Sequence, residues 1–368
     1  MAARQIFLGN NNFVCRKLVQ KQRLFSTNAA AAAVATANPT TTTASTATHN
    51  DTKNHSKPRP ELYIQGSETH FGFESVGVEE KEGRVRQVFE SVSDSYDVMN
   101  DLMSGGLHRY WKDTLLDMSA VESMAQAVRF RQQQHQQQNQ SMDPSTNQLR
   151  ILDVAGGTGD VAFRFVDAAG LSSSKQKQPW SMAGESQTQN QPSSSISVTV
   201  CDINKEMLRV GEARARERFG NQLLEGGDSA PLSFVQGNAQ SLQFSDNSFD
   251  LYTIAFGLRN VTDVDKGLEE AFRVLKPGGR FMCLEFSQVP DPILRQIYDT
   301  YSFHVIPAMG ELVANDRASY QYLVESIRKF SNQQELLDRM DAVGFQLTKY
   351  TNLTGGIVAI HEGWKPII

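Results

Sequence analysis

Between Leu152 and Phe163 the chain reads LDVAGGTGDVAF, with Gly156, Gly157 and Gly159 inside four positions, Asp153 before them and Asp160 just after. Backbone this bare lets a ligand approach closely. Gly157-x-Gly159-x-x-Ala162 meets the loose dinucleotide fingerprint, in which a pyrophosphate rests on a helix N-terminus. The acids argue for another ligand. Asp160, at the start of the helix, would repel a dianion and satisfy the free N–H donors itself, and Asp153 adds a second negative group. S-adenosylmethionine suits such a site better, because it has no phosphate, a cationic sulfonium and an ammonium that a carboxylate can pair. The glycines, Gly157 among them, would admit its amino-acid part, and Thr158 adds a small hydroxyl. A tight strand-to-helix turn without a ligand is the plainer alternative.

Two later positions agree with a nucleoside ligand. Asp202 ends the apolar run Val198-Thr199-Val200-Cys201, where an acid can accept both ribose hydroxyls. Taken alone, it could equally cap the helix that starts near Asn204. Asn238 and Ala239 follow a third apolar run, and a polar side chain beside a small one fits the edge and face of an adenine. Ser248-Phe249-Asp250 introduces a fourth run, as it does in many methyltransferases.

These residues need a frame. Apolar runs at Arg150–Val154, Ser197–Cys201, Leu232–Val235, Leu251–Ala255 and Arg280–Phe286 read as buried strands, with helical stretches at Asp160–Ala169, Asn204–Phe219 and Val264–Leu275. Alternating strands and helices predict a parallel, doubly wound sheet. Lys276-Pro277-Gly278-Gly279 supplies a stop and turn before the fifth strand. Phe345–Tyr350 and Ile357–His361 are joined too closely for a crossover, so they should pair antiparallel. In an open sheet of this kind the ligand sits beyond the carboxyl ends of the strands, which is where the glycine loop falls.

Bulk properties exclude more than they assign. The chain has 368 residues, 39% hydrophobic, with formal charge -5, which gives no reason to expect nucleic acid. No run of ~18 apolar residues suggests a membrane span. Three widely spaced cysteines fit neither a disulfide framework nor a zinc site, and no metal is expected. Residues 1–50 contain no Asp or Glu, and Arg4, Arg16, Lys17, Lys21 and Arg23 lie among apolar residues. That is the make-up of a mitochondrial transit peptide, assigned to residues 1–28. Residues 29–66 read as a disordered linker, and 67–368 as the folded domain. Gln-rich 131–149 and Ser/Gln-rich 172–196 read as structureless surface insertions, and His135 in the first has no partner in metal-ligand spacing.

Longer stretches carry a resemblance. Thr69-His70-Phe71-Gly72-Phe73, VFESVSDSYDVMNDLMSGGLHRYWKD from Val88, LDVAGGTGD and CDINKEML from Cys201 resemble the ubiquinone/menaquinone-biosynthesis C-methyltransferase family, in its mitochondrial branch. So do NSFDLYTIAFGLRNVTD from Asn247, RVLKPGGRFMCLEFS from Arg273, SYQYLVESIRKF from Ser319 and LTGGIVAIHEGWKP from Leu353. The resemblance runs from about residue 67 to the end, the two insertions apart; AFGLRNV and LVESI are its most specific runs. It implies an α/β class I S-adenosylmethionine-dependent methyltransferase fold: a Rossmann-like, seven-stranded, mostly parallel sheet with a C-terminal antiparallel hairpin and a helical N-terminal cap.

The implied reaction methylates a ring carbon of a prenylated benzoquinol, with S-adenosyl-L-methionine as methyl donor. Donor contacts fall on Thr158, Asp202, Asn238 and Ala239. Implied partners are other enzymes of a ubiquinone-biosynthesis complex and the matrix face of the inner membrane, and a homodimer is compatible. One departure stands out: many relatives carry Ser where this chain has Ala255. A quinol hydroxyl has a pKa on the order of 10, so its oxyanion must be stabilised. Arg259, just past the fourth strand, is the candidate for that task, acting with Tyr96 and an ordered water. His108 is the alternative base. Val88–Asp113 is expected as a helical cap that puts Tyr96 and Asn100 on one face at i, i+4, and Tyr298–Met309 as a wall for the prenyl tail. An NAD-dependent oxidoreductase and a non-catalytic scaffold are the competing classes.

Overall fold

The computed structural model describes residues 68–92, 100, 101, 103–137, 148–171, 195–225, 227 and 230–367. The expected transit peptide, the whole linker and Tyr96 lie outside the described residues. A short antiparallel hairpin, β1 (Glu68–Phe71) and β2 (Glu74–Gly77), leads into α1 (Val78–Val92). Helices α2 (Leu107–Ser119) and α3 (Val121–Gln137) follow, then β3 (Leu149–Val154), α4 (Asp160–Ala168), β4 (Ile196–Asp202) and α5 (Lys205–Phe219). Next come β5 (Leu232–Gln236), β6 (Phe249–Ala255), α6 (Val264–Val274) and β7 (Leu275–Phe286). The chain continues through α7 (Pro292–Thr300), a π turn (Tyr301–Val305), α8 (Ile306–Ala314), α9 (Arg317–Lys329) and α10 (Gln333–Val343). It finishes with the hairpin β8 (Gln346–Leu353) and β9 (Val358–Trp364).

The seven strands run in the order β5-β4-β3-β6-β7-β9-β8. The first five are parallel, β9 is antiparallel to β7, and β8 is antiparallel to β9. The expected doubly wound sheet with a terminal hairpin is therefore present. Parallel central strands are covered on both faces and read as unbroken apolar runs, as ISVTV in β4 shows. One core layer packs the sheet against α2, α3, α4 and α5 through Leu115, Val128, Phe165 and Phe219. The opposite layer packs it against α6 and α10 through Leu268, Ala271, Leu336 and Met340. Strand order reverses at the β3–β6 boundary, so the crevice for a ligand opens above their carboxyl ends.

Some boundaries differ from the sequence reading. Glutamine is a good helix former, and α3 runs on through the start of the Gln-rich stretch to Gln137, with Gln132 buried. Residues 131–137 of the expected insertion are thus helical, and 138–147 lie outside the described residues. At the other insertion, Ser195 and Ile196 are already buried in the sheet. The Lys276–Gly279 turn falls within β7 rather than before it. The register against β6 jumps between the Phe249–Leu275 and Leu251–Arg280 pairs, so the turn bulges out of the ladder. In the expected cap, α1 ends at Val92, 93–99 and 102 lie outside the described residues, 100, 101, 103 and 104 are helical, and α2 starts at Leu107 after Gly105 and Gly106 take positive φ values of 57° and 81°.

Candidate active site

The glycine loop leaves β3 through Ala155, a non-glycine residue in the left-handed region at φ 51°. Phe256, leaving β6 next door, does the same at φ 58°. Two such residues side by side mark strain held by the surrounding fold, and strain of this kind gathers at functional sites. The two loops cross so closely that a Cβ on Gly257 would lie 2.4 Å from the Ala155 Cβ. Only glycine fits there.

Above this crossing lies a cavity of about 130 Å³. Its walls include Asp153, Gly157, Thr158, Asp202, Asn238 and Ala239, so the structure brings all six expected donor-binding residues to one place. Ala255 also lines it, offering a methyl group. Asp202 accepts the Gly157 backbone N–H at 2.9 Å and that of Asn204 at 2.8 Å, which fixes its carboxylate at the strand end. It is not the cap of α5. Asn204 takes that place, accepting from Glu206 and Met207. Burial raises the Asp202 pKa to about 6, against the pull of the N–H donors from Asn204 and Gly157.

Asp153 is fully buried. One carboxylate oxygen accepts the Thr253 hydroxyl at 2.8 Å, and Oδ2 has no partner. Burial pushes its pKa up to about 7. A buried, unpartnered carboxylate oxygen calls for a cation or a donor from a ligand. Asn238 accepts the Gln240 backbone N–H at 2.9 Å and donates to Glu82 at 3.4 Å, so α1 closes this side of the cavity.

Asp160 behaves differently from the sequence expectation. Its side chain does not satisfy the free donors at the start of α4, where Gly159 is the cap residue. The carboxylate instead pairs with Lys112 and Arg164, each at 2.7 Å. Burial works to raise its pKa, but Lys112 and Arg164 hold it below the ordinary value. The acid next to the glycines is therefore neutralised. Discrimination against a pyrophosphate falls to Asp153 and Asp202.

A second cavity, of about 400 Å³, adjoins the first. Trp111, Phe286, Tyr298, Tyr301, Ile306 and Ile357 make much of its wall, and Asn100 and Arg259 also reach it. Of the segment Tyr298–Met309, expected as a wall for the prenyl tail, Tyr298, Tyr301 and Ile306 line this cavity. Phe89, Lys112 and Phe256 line both cavities and form the boundary between them. The Phe256 ring lies 6.0 Å from Trp111 and 5.0 Å from Phe286.

Arg259 is buried, with its Nη1 3.0 Å from Glu285 Oε1 and donating also to the Phe256 carbonyl. The Arg259 backbone N–H reaches the other Glu285 oxygen at 3.3 Å, and Nε has no partner. The side chain combines an ion pair with a place on the cavity wall. Next to it, the Tyr322 hydroxyl donates to Asn260 at 3.0 Å, which joins the LVESI helix to the FGLRN run. His108 also lines the second cavity, with Nε2 2.7 Å from Asp101.

Sequence reasoning missed Phe89, Lys112, Glu285 and Asp101. The signals were present for two of them. Lys112 stands four residues after His108 on one helix face, and Glu285 interrupts the apolar run MCLEF. Among the described residues no group of three or more His, Cys, Asp or Glu could hold a metal ion.

A model of the ubiE/COQ5 methyltransferase family matches residues 77–365. The mitochondrial 2-methoxy-6-polyprenyl-1,4-benzoquinol methylase of Bos taurus is 49% identical over 311 residues, covering 82% of this chain and 84% of its own. The protein of the same name from Homo sapiens is also 49% identical, over 82% of this chain and 85% of its own. That of Danio rerio is 48% identical over the same shares.

Proposed function

The chain belongs to the ubiE/COQ5 methyltransferase family, and from that premise we propose that it methylates a ring carbon of 2-methoxy-6-polyprenyl-1,4-benzoquinol, giving the 5-methyl product in ubiquinone biosynthesis. One observation carries the reading: a cavity edged by Asp153 and Asp202 meets an aromatic cavity across a shared wall of Phe89, Lys112 and Phe256. The first suits a cationic, phosphate-free nucleoside. Asp202 would accept the ribose hydroxyls, the unpartnered Asp153 oxygen faces the donor's positive charge, and the loop at Gly157 and Thr158 would hold its amino-acid part. Asn238 and Ala239 would flank the adenine. S-adenosylmethionine, when bound, supplies an electrophilic methyl group on sulfur.

The second cavity supplies what the acceptor needs. Its aromatic walls suit a quinol ring and the first isoprene units, and they exclude water from the meeting point of ring and methyl group. Reaction requires the two atoms in line at ~3–3.5 Å. Arg259 is the group proposed to stabilise the quinol oxyanion, since a fixed guanidinium in a dry site acts strongly on developing charge. Glu285 orients it and keeps the pair neutral until substrate charge develops. Tyr96 is proposed to act with it.

The names of the relatives support a mitochondrial address, carried by residues 1–28. No helix among the described residues is long and apolar enough to cross a membrane. Contact with the matrix face of the inner membrane, with other enzymes of the pathway and with a second copy belong to the same proposal. Mass spectrometry of quinone intermediates tests it: cells lacking this protein should accumulate the 2-methoxy-6-polyprenyl precursor and lack its 5-methyl product. Normal levels of that product would reject the assignment.

A further inference from the structure

We propose that His108, oriented by Asp101, is the base that takes the quinol hydroxyl proton in the aromatic cavity. The inference rests on the C-methylation reading above and adds the missing proton acceptor. Arg259 can stabilise an oxyanion but stays protonated and cannot take the proton.

Local structure builds the pair. Gly105 and Gly106 turn the chain, the Gly106 N–H returns to the Asp101 carbonyl at 2.9 Å, and α2 starts at once. Asp101 therefore folds back on the first turn of α2 and accepts from both His108 Nε2 at 2.7 Å and Arg109 Nε at 2.8 Å. An ionised carboxylate accepts only, so Nε2 must carry the ring proton. Nδ1 is then bare, with its lone pair available. It is also buried and has no hydrogen-bond partner among the described residues. His108 is one of the residues that line the cavity, and a buried acceptor left empty beside it is unfavourable unless a ligand donor fills it. A quinol hydroxyl is such a donor.

Among the described residues, the remaining polar groups leave the task to His108. Around it stand Asp101 before its helix, Arg109 on Asp101, Lys112 one turn on and Asp160 opposite on α4. Burial lowers the His108 pKa below 6.5, Lys112 lowers it further, and Asp101 and Asp160 oppose them. The imidazole is thus neutral and ready to accept near pH 7. Across the cavity, burial pushes Tyr320 and Tyr322 up to about 12 and raises Tyr298 and Tyr301 as well. These tyrosines hold their protons and serve as donors.

The chemistry balances. Nδ1 takes the hydroxyl proton as the ring carbon ortho to that oxygen attacks the methyl group. The S–CH3 bond breaks and its electron pair stays on sulfur. The imidazolium, held by Asp101, returns its proton to the oxygen while the methylated carbon gives up its own proton to water. One proton is released in total.

The test uses the full chain with His108→Gln and with Asp101→Asn. Methyl transfer is followed from about pH 5 to 9 on the prenylated benzoquinol and on a ring-fluorinated analogue with a more acidic hydroxyl. The unmodified protein should lose activity as pH falls through a limb below 6.5. His108→Gln should lower kcat by ~10²- to 10⁴-fold, erase that limb and leave a rate that climbs with pH. The fluorinated ring should narrow its deficit, while S-adenosylhomocysteine affinity by calorimetry stays unchanged. Asp101→Asn should lower kcat by about tenfold and move the limb to lower pH, because Asp101 raises the His108 pKa. An acid limb that persists in His108→Gln, or an equal deficit on both substrates, would overturn the proposal. Should His108→Gln lose donor binding through misfolding, Asp101→Asn decides, and an unmoved limb counts against the base. Failure of the unmodified protein to methylate either ring would reject the reaction instead.

Discussion

Around the glycine loop, ligand-facing groups come from the ends of strands β3, β4, β5 and β6, neighbours in one sheet, and much of the contact surface is backbone. The aromatic cavity beside it draws on residues from Val88 to Ile357, brought together from α1, α2, the π turn, α9 and the β8–β9 connection. One cavity is positioned by the sheet's geometry and the other by packing between helices laid over it. On the proposed reading, chemistry common to many substrates resides in the first and the choice of acceptor in the second. Phe256 belongs to both because it leaves β6 in a left-handed conformation and turns its ring between Trp111 and Phe286.

Separate variants should break the two halves independently. Beyond the His108 variant, Arg259→Lys is expected to have the largest effect, ~10²-fold on kcat and kcat/KM alike, the scale of one lost oxyanion donor. Lysine keeps the charge opposite Glu285 but not the planar fork. Donor affinity should be unchanged, and raising the pH should recover part of the rate. A rise in KM at constant kcat would make Arg259 a headgroup ligand only.

Asp202→Ala acts on the other cavity. Losing charge-assisted hydrogen bonds worth ~1.5–3 kcal/mol should weaken S-adenosylmethionine binding at least tenfold by calorimetry, with acceptor binding little altered. Unchanged donor affinity would remove Asp202 from the site.

Asp153→Asn tests the buried carboxyl through stability. Its native pKa of about 7 lies above the unfolded value near 3.8, so the native state binds the proton more tightly. The stabilisation this gives is full below pH ~4 and is lost as pH rises through about 7. Asparagine can still accept from Thr253 but carries no charge. The ligand-free variant should therefore melt higher than the parent at pH 8, by about 2–4 °C, with the gain shrinking towards pH 5. A gain that grew as pH fell would contradict the assignment. The smallest effect is expected from replacing residues 173–194 by a short Gly/Ser link. The cut spares Ser195, which is buried at the sheet, and activity and solubility should both be retained.

How much could be read from the sequence follows the same division. Strand and helix order, the terminal hairpin and the gathering of the six expected donor-site residues around one cavity were legible, because β-strands buried on both faces and strand-end loops carry local signals. The role of Asp160 was not legible. Its partner Lys112 lies 48 positions away, and nothing local says that a carboxylate at a helix start will pair with it. The Arg259–Glu285 pair and the Asp101–His108 turn were hidden for similar reasons. The first needs β7 beside β6, and the second depends on two glycines reversing the chain. The turn at those same glycines inside the expected helical cap was obscured by the helical pattern of Val88–Asp113.

The most direct test of the account supplies the purified protein with S-adenosylmethionine carrying a ¹³C-labelled methyl group and with reduced 2-methoxy-6-polyprenyl-1,4-benzoquinol, and reads the product by NMR and mass spectrometry. The account requires one labelled methyl group on the ring carbon beside the prenyl-bearing carbon, formed one-for-one with S-adenosylhomocysteine. Label found on a quinol oxygen, or no transfer from a donor shown to be bound, would contradict it.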